Sequence, residues 1–237
     1  MLRTDAGKGH IMEEMSLCDM AYQSIRRDIL REQLKPGYRL REREMVKTLR
    51  MSRTPIRRAF QMLEKEGLII SRPGRGATVA DISGKELKKL LEIQSALEGM
   101  AIMAASQNLA TEKIDALFQI ERRFEQEVAE GTVENMAYID EEFHEYICCL
   151  ADNEYAAHIL GDLKVKIFRY RLEYLRDESA RFAEMEEHRK IINCLCRGQK
   201  MEAKDMLHQH IGQQRKVLML NFLERKEMEE HRKIINC

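Results

Sequence analysis

The sequence predicts a mostly α-helical protein that combines a small N-terminal domain carrying a β-hairpin with a C-terminal antiparallel bundle of about six helices. Composition favours helices, because 237 residues contain only 3 prolines, 12 glycines and no tryptophan, unlike an all-β sandwich or a disordered chain. Charge favours two domains, because residues 16–80 carry 15 lysines and arginines against 7 acidic residues, whereas residues 81–237 carry 23 against 30. We therefore expect one domain to meet a polyanion; two solvated faces of a single domain are the alternative.

Three helices are predicted in the N-terminal domain, residues 16–80. Apolar residues recur at helical spacing from Leu17 to Glu32 and again from Arg41 to Leu49. After a tight connection, Ser52 stands at the N-cap position of the third helix, which ends at Gly67.

A β-wing is predicted after the third helix. Residues 68–70 and 77–79 are short apolar runs, and the Pro-Gly-Arg-Gly sequence between them is a turn signal. Three helices followed by such a wing indicate a winged helix-turn-helix, whose recognition helix enters the major groove of DNA.

The predicted C-terminal domain, residues 81–226, begins with a capping box, because Ser83 and Glu86 have the spacing that satisfies two backbone donors. Helical periodicity then continues with short breaks, and short connections make sequential helices antiparallel neighbours. The predicted helices are 84–107, 112–129, 135–151, 154–176, 180–197 and 200–225.

Two segments are predicted to lie outside these domains. Residues 1–15 lack apolar periodicity and are interpreted as a leader. The segment EMEEHRKIINC occurs identically at 184–194 and 227–237 without flanking similarity, so it is not a solenoid repeat. We interpret residues 227–237 as a duplicated tail without a function of its own.

Membrane and secreted proteins are not expected classes. The chain has no apolar run near the roughly 20 residues of a membrane span, and its first residues lack the apolar core of a signal peptide. Its 6 cysteines form no C-x-x-C pair and are expected to stay reduced. A cytoplasmic protein is the expectation.

Polar and basic residues cluster at the start of the third predicted helix, where long side chains can reach base edges in the major groove. Further arginines on the second helix and beside the wing turn are placed to bind phosphates or a minor groove. A solvated charged face is the alternative, but here a basic helix and a basic wing occur together. The helix residues are Arg53, Thr54, Arg57 and Arg58, and the flanking ones are Arg43, Arg72 and Arg75.

Four residues of the bundle form a candidate metal site. Asp140 and His144 are four residues apart on one predicted helix, so both project from one face, while His188 and His210 lie on the last two helices. A carboxylate and three imidazoles suit Zn²⁺, Ni²⁺, Mn²⁺ or Fe²⁺, with positions left for water or a ligand. By spacing alone, an Asp/His pair of this kind is more often a polar pair without a metal.

The motifs resemble a known family. The segment from Leu34 to Val79, with KPGYRLREREMV, SRTPIRRAF, EKEGLI and RPGRGATV, resembles the winged helix-turn-helix of GntR-type bacterial transcription regulators. The helical half, with DEEFH, EHRKI and LHQHI, resembles the FCD sensing domain of their FadR subfamily. This resemblance covers roughly residues 20–225 and implies a homodimer that binds a palindromic double-stranded DNA operator and responds to a small molecule.

The resemblance also implies site residues. In the family, the residue matching Gly74 lets the wing backbone approach DNA, while Arg58 stands where a glutamate is usual and Arg75 adds charge to the wing. Because of these two departures, the DNA half-site sequence of family members cannot be assumed for this protein. Residues matching operator contacts are Arg43, Arg53, Thr54 and Arg57, and those matching metal ligands are Asp140, His144, His188 and His210.

The effector site departs from the family pattern. Small carboxylates often bind above the metal in that family, helped by an arginine four residues before a glutamate. Here the glutamate is Glu98 and the earlier position is Gln94. A glutamine cannot form the bidentate ion pair with an acid that an arginine would form, so this departure weakens the case for a carboxylate bound there. Arg169 and Arg171 on the fourth bundle helix are the candidates to replace that arginine.

The sequence therefore predicts a homodimeric regulator, a repressor, whose operator affinity is modulated by a small carboxylate bound at a divalent metal. An effector-independent regulator with a structural metal is one alternative. A metal-dependent enzyme is the other, although no separate nucleophile or general base accompanies the metal residues. Cys148, one turn after His144, is expected to be a core residue rather than a redox sensor.

Overall fold

The computed structural model divides the chain into two compact units, Met1–Ala80 and Asp81–Cys237. The predicted leader, Gly74 and Arg75 lie outside the residues that it describes. No described helix is long and apolar enough to cross a membrane. The described residues are 16–31, 33–72, 76–81, 83–105 and 109–235.

The described part of the N-terminal unit contains three helices and a three-stranded antiparallel sheet. In chain order the elements are α1 (Leu17–Leu30), β1 (Arg39–Leu40), α2 (Glu42–Leu49), α3 (Arg53–Lys65), β2 (Ile69–Arg72) and β3 (Gly76–Val79). Strand β3 lies between β1 and β2, with Ile69 opposite Val79 and Leu40 opposite Ala77. The sequence did not predict β1, because two residues are too few to show an alternating pattern.

Buried apolar residues orient α3. Ile56, Phe60 and Leu63 are buried on one face, as their spacing predicts, and α3 packs against α1. Directly after α3, Gly67 has φ +78°, a conformation that glycine adopts without a steric penalty. The opposite face of α3 is therefore left to solvent.

The described part of the C-terminal unit contains six helices, as predicted. They are α4 (Gly84–Ala104), α5 (Thr111–Glu130), α6 (Val133–Cys149), α7 (Glu154–Tyr174), α8 (Glu178–Cys196) and α9 (Lys200–Ile235). Side chains of Ser83, Thr132, Asn153 and Asp177 accept hydrogen bonds from backbone N–H groups and so begin four of these helices.

The last helix is longer than predicted. Helix α9 continues to Ile235, whereas the predicted helix ends at residue 225. No glycine or proline follows Gly212, so nothing local interrupts the helix. The predicted boundary before the repeated segment therefore lies inside α9.

Packing of the bundle brings several helix faces to one interior region. Helix α4 packs against α9, α6 packs against both α5 and α7, and α8 packs against α5 and α9. Phe124, Phe143, Phe168 and Tyr170 are fully buried among these helices. The inner faces of α6, α8 and α9 therefore surround a common interior, which holds polar as well as apolar groups.

Candidate metal centre and nucleic-acid interface

The structure brings the four predicted metal residues together. Asp140 and His144 lie one turn apart on α6, His188 lies on α8 and His210 lies on α9, and each is at most 2% exposed. With Glu184 they form one buried group whose potential ligand atoms all lie within 4.8 Å of one another.

The imidazoles point their Nε2 atoms at a shared centre. His188 Nε2 lies 3.3 Å and His144 Nε2 3.7 Å from the same oxygen, Asp140 Oδ1. His210 Nε2 lies 3.4 Å from His144 Nε2. Three nitrogens and one carboxylate oxygen thus converge at distances that an ion between them would bridge.

Glu184 is a member of this group that the sequence did not predict. It lies on α8 one turn before His188, and its Oε1 is 3.9 Å from His188 Nε2 and 3.5 Å from His210 Nε2. Gln214 donates a hydrogen bond from Nε2 to the same oxygen at 2.5 Å. The signal was present, because Glu184 and His188 have the four-residue spacing of Asp140 and His144.

A carboxylate holds the other nitrogen of each imidazole. His144 Nδ1 lies 2.6 Å from Glu98 Oε2, and His188 Nδ1 lies 3.3 Å from Glu121 Oε2. His210 Nδ1 lies 2.8 Å from Glu187 Oε2. An ionised carboxylate can only accept, so each contact places a hydrogen on Nδ1, and an imidazole that is neutral then turns its Nε2 lone pair to the centre.

The residues present fit a divalent metal ion. Asp140 Oδ1, Glu184 Oε2 and His188 Nε2 are buried without a hydrogen-bond partner among the described residues, a costly arrangement in a helical core. Three imidazoles and two carboxylates are donors that Zn²⁺, Ni²⁺, Mn²⁺ and Fe²⁺ accept. Arg171 Nε contacts Asp140 Oδ2 as an ion-pair partner, whereas His144 and His188 lie against the other oxygen, Oδ1.

Burial and neighbouring charges shift the pKa values of the two acidic residues, Asp140 and Glu184, in opposite directions. Burial opposes ionisation of Asp140, but Arg171 and His144 outweigh it and hold the pKa of that carboxyl well below its usual range. Burial and the charge of Asp140 together raise the pKa of Glu184 well above its ordinary value. Asp140 is therefore the carboxylate ready to bind a cation at neutral pH.

The pKa values of two of the imidazoles, His188 and His210, are also shifted in opposite directions. Burial lowers the pKa of His188, but the carboxylates of Asp140 and Glu121 beside its two ring nitrogens outweigh burial and raise that pKa to about 10. Burial lowers the pKa of His210 to about 4. In the metal-free protein at neutral pH, His188 thus holds a proton that a metal must displace, whereas His210 is already neutral.

The predicted effector residues fall in two places. Gln94 and Arg171 are buried, and both line a small cavity beside His144. Arg169 points elsewhere, with its guanidinium 3.0 Å from Asp81 Oδ1 and 2.5 Å from the Tyr170 hydroxyl.

His158, His208 and Cys148 lie outside the group. His158 is exposed, 3.9 Å from Asp162, and His208 packs against Gly99 on α4. Cys148 is fully buried in an apolar cluster, and burial raises the pKa of its thiol to about 11. These properties make Cys148 an inert core residue.

The described DNA-binding candidates of the N-terminal unit are all exposed. The first two turns of α3 present Arg53, Thr54, Arg57 and Arg58, all exposed on the side opposite the buried residues. Arg43 on α2 and Arg72 at the end of β2 are also exposed. Arg57 forms an ion pair with Glu42 at 3.0 Å. Ser52 is the N-cap of α3 but makes no capping hydrogen bond with its side chain.

Comparison with known families matches both units. A model described as "FCD domain" matches residues 89–213, more than half of the chain. A second, described as "Bacterial regulatory proteins, gntR family", matches residues 17–79.

Individual relatives agree with these matches. The chain is 26% identical over 191 residues to the uncharacterized HTH-type transcriptional regulator YdhC of Bacillus subtilis, covering 80% of this chain and 85% of that protein. It is 30% identical over 153 residues to the HTH-type transcriptional repressor RspR of Escherichia coli, covering 63% and 66%.

A solved structure has the same fold. That of Escherichia coli McbR/YncC superposes with a TM-score of 0.71 at 20% identity, covering 88% of this chain and 100% of that one. The matched families and the curated relatives are transcription regulators, not enzymes. The chain therefore belongs to the GntR family of bacterial regulatory proteins and carries an FCD domain.

Proposed function

We propose that the protein is a homodimeric transcription repressor whose operator affinity is controlled by a small carboxylate effector bound at a divalent metal in the helical domain. One observation carries the metal part of this proposal. Five buried potential ligands converge, and each of the three imidazoles has a carboxylate on its Nδ1 atom. Such outer partners are typical of metal-binding histidines.

In this proposal the N-terminal unit reads DNA. Each protomer places α3 in the major groove of one half of a palindromic operator, with Arg53 contacting base edges. Arg43 and Arg72 bind phosphates, and the wing residues Gly74 and Arg75 approach the adjacent groove. The exposure of the described arginines supports this assignment.

The metal would be held by Asp140, His144, His188 and His210, with Glu184 as a further ligand. When bound, it supplies a fixed positive charge that can coordinate an anionic effector. Glu98, Glu121 and Glu187 keep the imidazoles oriented. The name of the Escherichia coli relative supports repression as the direction of control.

Effector control requires a difference in affinity. An effector that binds the DNA-competent and DNA-incompetent arrangements of the dimer equally well shifts nothing, so the two must differ around the site. Because Arg171 contacts the candidate ligand Asp140, this side chain can link occupancy of the site to the position of α7.

A structural metal without an effector is the second candidate. Glu184 favours it, because a fifth protein ligand leaves fewer positions for an outside molecule.

Selection of bound duplexes from a random-sequence library tests the proposal. Zinc-loaded protein should enrich a two-fold symmetric sequence, and a small carboxylic acid should change the affinity for that duplex only while the metal is present. Fluorescence anisotropy measures both. Failure to enrich any sequence would contradict DNA reading. Metal that raises the unfolding midpoint while no acid changes DNA affinity would favour the structural candidate.

A further inference from the structure

One arginine at the start of α3 is held by a carboxylate of the neighbouring helix. Arg57 donates from Nε to both oxygens of Glu42, at 3.1 Å to Oε1 and 3.0 Å to Oε2. Arg53 and Arg58, the other exposed arginines of α3, form no side-chain ion pair with the described residues. This contact distinguishes Arg57 from the other arginines that are candidates to read bases.

The fold places Glu42 beside α3. Glu42 is the first residue of α2 and closely follows Leu40, which is fully buried and pairs with Ala77 of β3. Helix α2 also packs against α3. A carboxylate in the first turn of a helix is favoured by the helix dipole. The backbone of Glu42 is thus anchored by the sheet and by α3, and its carboxylate meets Arg57 at a defined place.

The contact leaves the end of the Arg57 side chain available. Only Nε takes part, and Nη1 and Nη2 form no hydrogen bond with the described residues. The side chain is 64% exposed despite the contact. Two adjacent nitrogens that carry N–H donors match O6 and N7, the pair of acceptors that guanine presents in the major groove.

Stability of the fold does not explain this pair. Ion pairs between exposed side chains contribute little to stability, because water screens both charges and two long side chains lose rotamer freedom. The Glu42 and Arg57 side chains are 34% and 64% exposed, so their pair belongs to this class. A flexible arginine that becomes immobilised at an interface loses the same freedom when it binds. An arginine that is already held loses less, so the pair favours binding more than folding.

We infer that Glu42 is a positioning residue for base recognition, which holds Arg57 by Nε so that Nη1 and Nη2 bind one guanine of each half-site. This inference rests on the proposed function and names the base that Arg57 reads. Without Glu42, the guanidinium would be free to bind the nearest phosphate at any sequence. The negative charge of Glu42 also repels phosphates, which lowers affinity for DNA that lacks the correct base.

Fluorescence anisotropy of the full-length protein with the selected duplex and with a random duplex tests the inference. Glu42→Gln keeps the size of the side chain but removes its charge. It should reduce the ratio of the two affinities by about 3–10-fold, the effect of freeing one side chain at an interface. The matched control is Glu44→Gln on the same helix, because Glu44 pairs with Arg41 at 3.2 Å instead of with Arg57. The control should keep the ratio within about 2-fold.

Two further measurements separate positioning from a general loss of binding. In the Arg57→Ala background, Glu42→Gln should change the affinities for the selected and the random duplex by equal factors, because no guanidinium remains to be held. Replacing single guanines of the selected duplex with 7-deazaguanine removes only the N7 acceptor. One position in each half-site should then lower wild-type affinity by about 10-fold and leave the affinity of Arg57→Ala unchanged.

Four results would overturn the inference. They are an unchanged ratio in Glu42→Gln, a reduced ratio that persists in the Arg57→Ala background, wild-type affinity that no single 7-deazaguanine lowers, and a reduced ratio accompanied by a large fall in the unfolding midpoint, which would mean that the pair holds the fold. The wild-type ratio is measured first. A wild-type ratio near one would contradict DNA reading itself and the inference with it, whereas a high wild-type ratio that Glu42→Gln leaves unchanged would contradict only the inference.

Discussion

Replacing Glu98 with glutamine tests whether the outer carboxylates position the metal-binding imidazoles. Glu98 is fully buried and accepts from His144 Nδ1 at 2.6 Å and from Gln94 Nε2 at 2.8 Å. Glutamine keeps the shape but removes the charge that holds hydrogen on Nδ1 and strengthens Nε2 as a ligand. Loss of such a partner should lower zinc affinity by about 10–100-fold, or about 1.4–2.7 kcal/mol.

Competition with a chromophoric chelator measures that zinc affinity, and thermal unfolding of the metal-free protein checks the fold. The matched control is Glu92→Gln on the same helix, because Glu92 is half exposed and pairs with two surface groups, Lys88 and Arg215. The control should change zinc affinity by less than about 2-fold. Wild-type affinity in Glu98→Gln, or an equal loss in both variants, would refute the positioning role.

Three further outcomes are expected. Arg53→Ala should weaken binding to the selected duplex by about 1–3 kcal/mol and relax the base preference of the protein, while Arg72→Ala should mainly reduce the salt dependence of binding. Anisotropy titrations measure both effects. Equal losses of affinity for specific and random DNA in Arg53→Ala would contradict a base contact by Arg53. Metal binding should release protons at neutral pH and strengthen as pH rises, because the pKa of metal-free His188 is raised to about 10 and its proton must leave. Calorimetry in buffers of different ionisation enthalpy detects the released protons. A heat of binding that does not depend on the buffer would contradict this expectation. Iodoacetamide should modify exposed Cys149 well before Cys148, which is buried with a pKa raised to about 11; equal rates by peptide mass spectrometry would mean that the helix opens readily.

Local pattern was sufficient for most of the fold. The buried stripe of α3 follows from the spacing of Ile56, Phe60 and Leu63, and the start of α4 follows from Ser83, which accepts a hydrogen bond from the Glu86 backbone at 3.2 Å. The local sequence pattern did not predict features that depend on pairing with distant residues or on the absence of a helix-terminating residue. Strand β1 exists because Leu40 pairs with Ala77, and α9 continues because nothing breaks it.

The site divides in the same way. Asp140 and His144 were recognisable because one helix turn joins them, and motif resemblance added His188 and His210. The outer carboxylates were not recognisable, because Glu98 and Glu121 reach their imidazoles from other helices, at sequence separations of 46 and 67. Charged helices contain many glutamates, so only packing shows which of them face inward.

The repeated segment tests whether surroundings, rather than sequence, decide which copy takes part in the proposed metal site. In the copy at 184–194, Glu184 and His188 are buried in the ligand group, whereas the equivalent of Glu184 in the second copy, Glu227, is exposed. His188→Ala should therefore lower zinc affinity beyond the roughly 10–100-fold cost of losing an outer partner, and His231→Ala should leave it within about 2-fold. Chelator competition on both variants measures this. Because the two residues have identical neighbours in sequence, a loss in His231→Ala would show that the second copy takes part in the metal site, and the interpretation of 227–237 as a tail without function would be wrong.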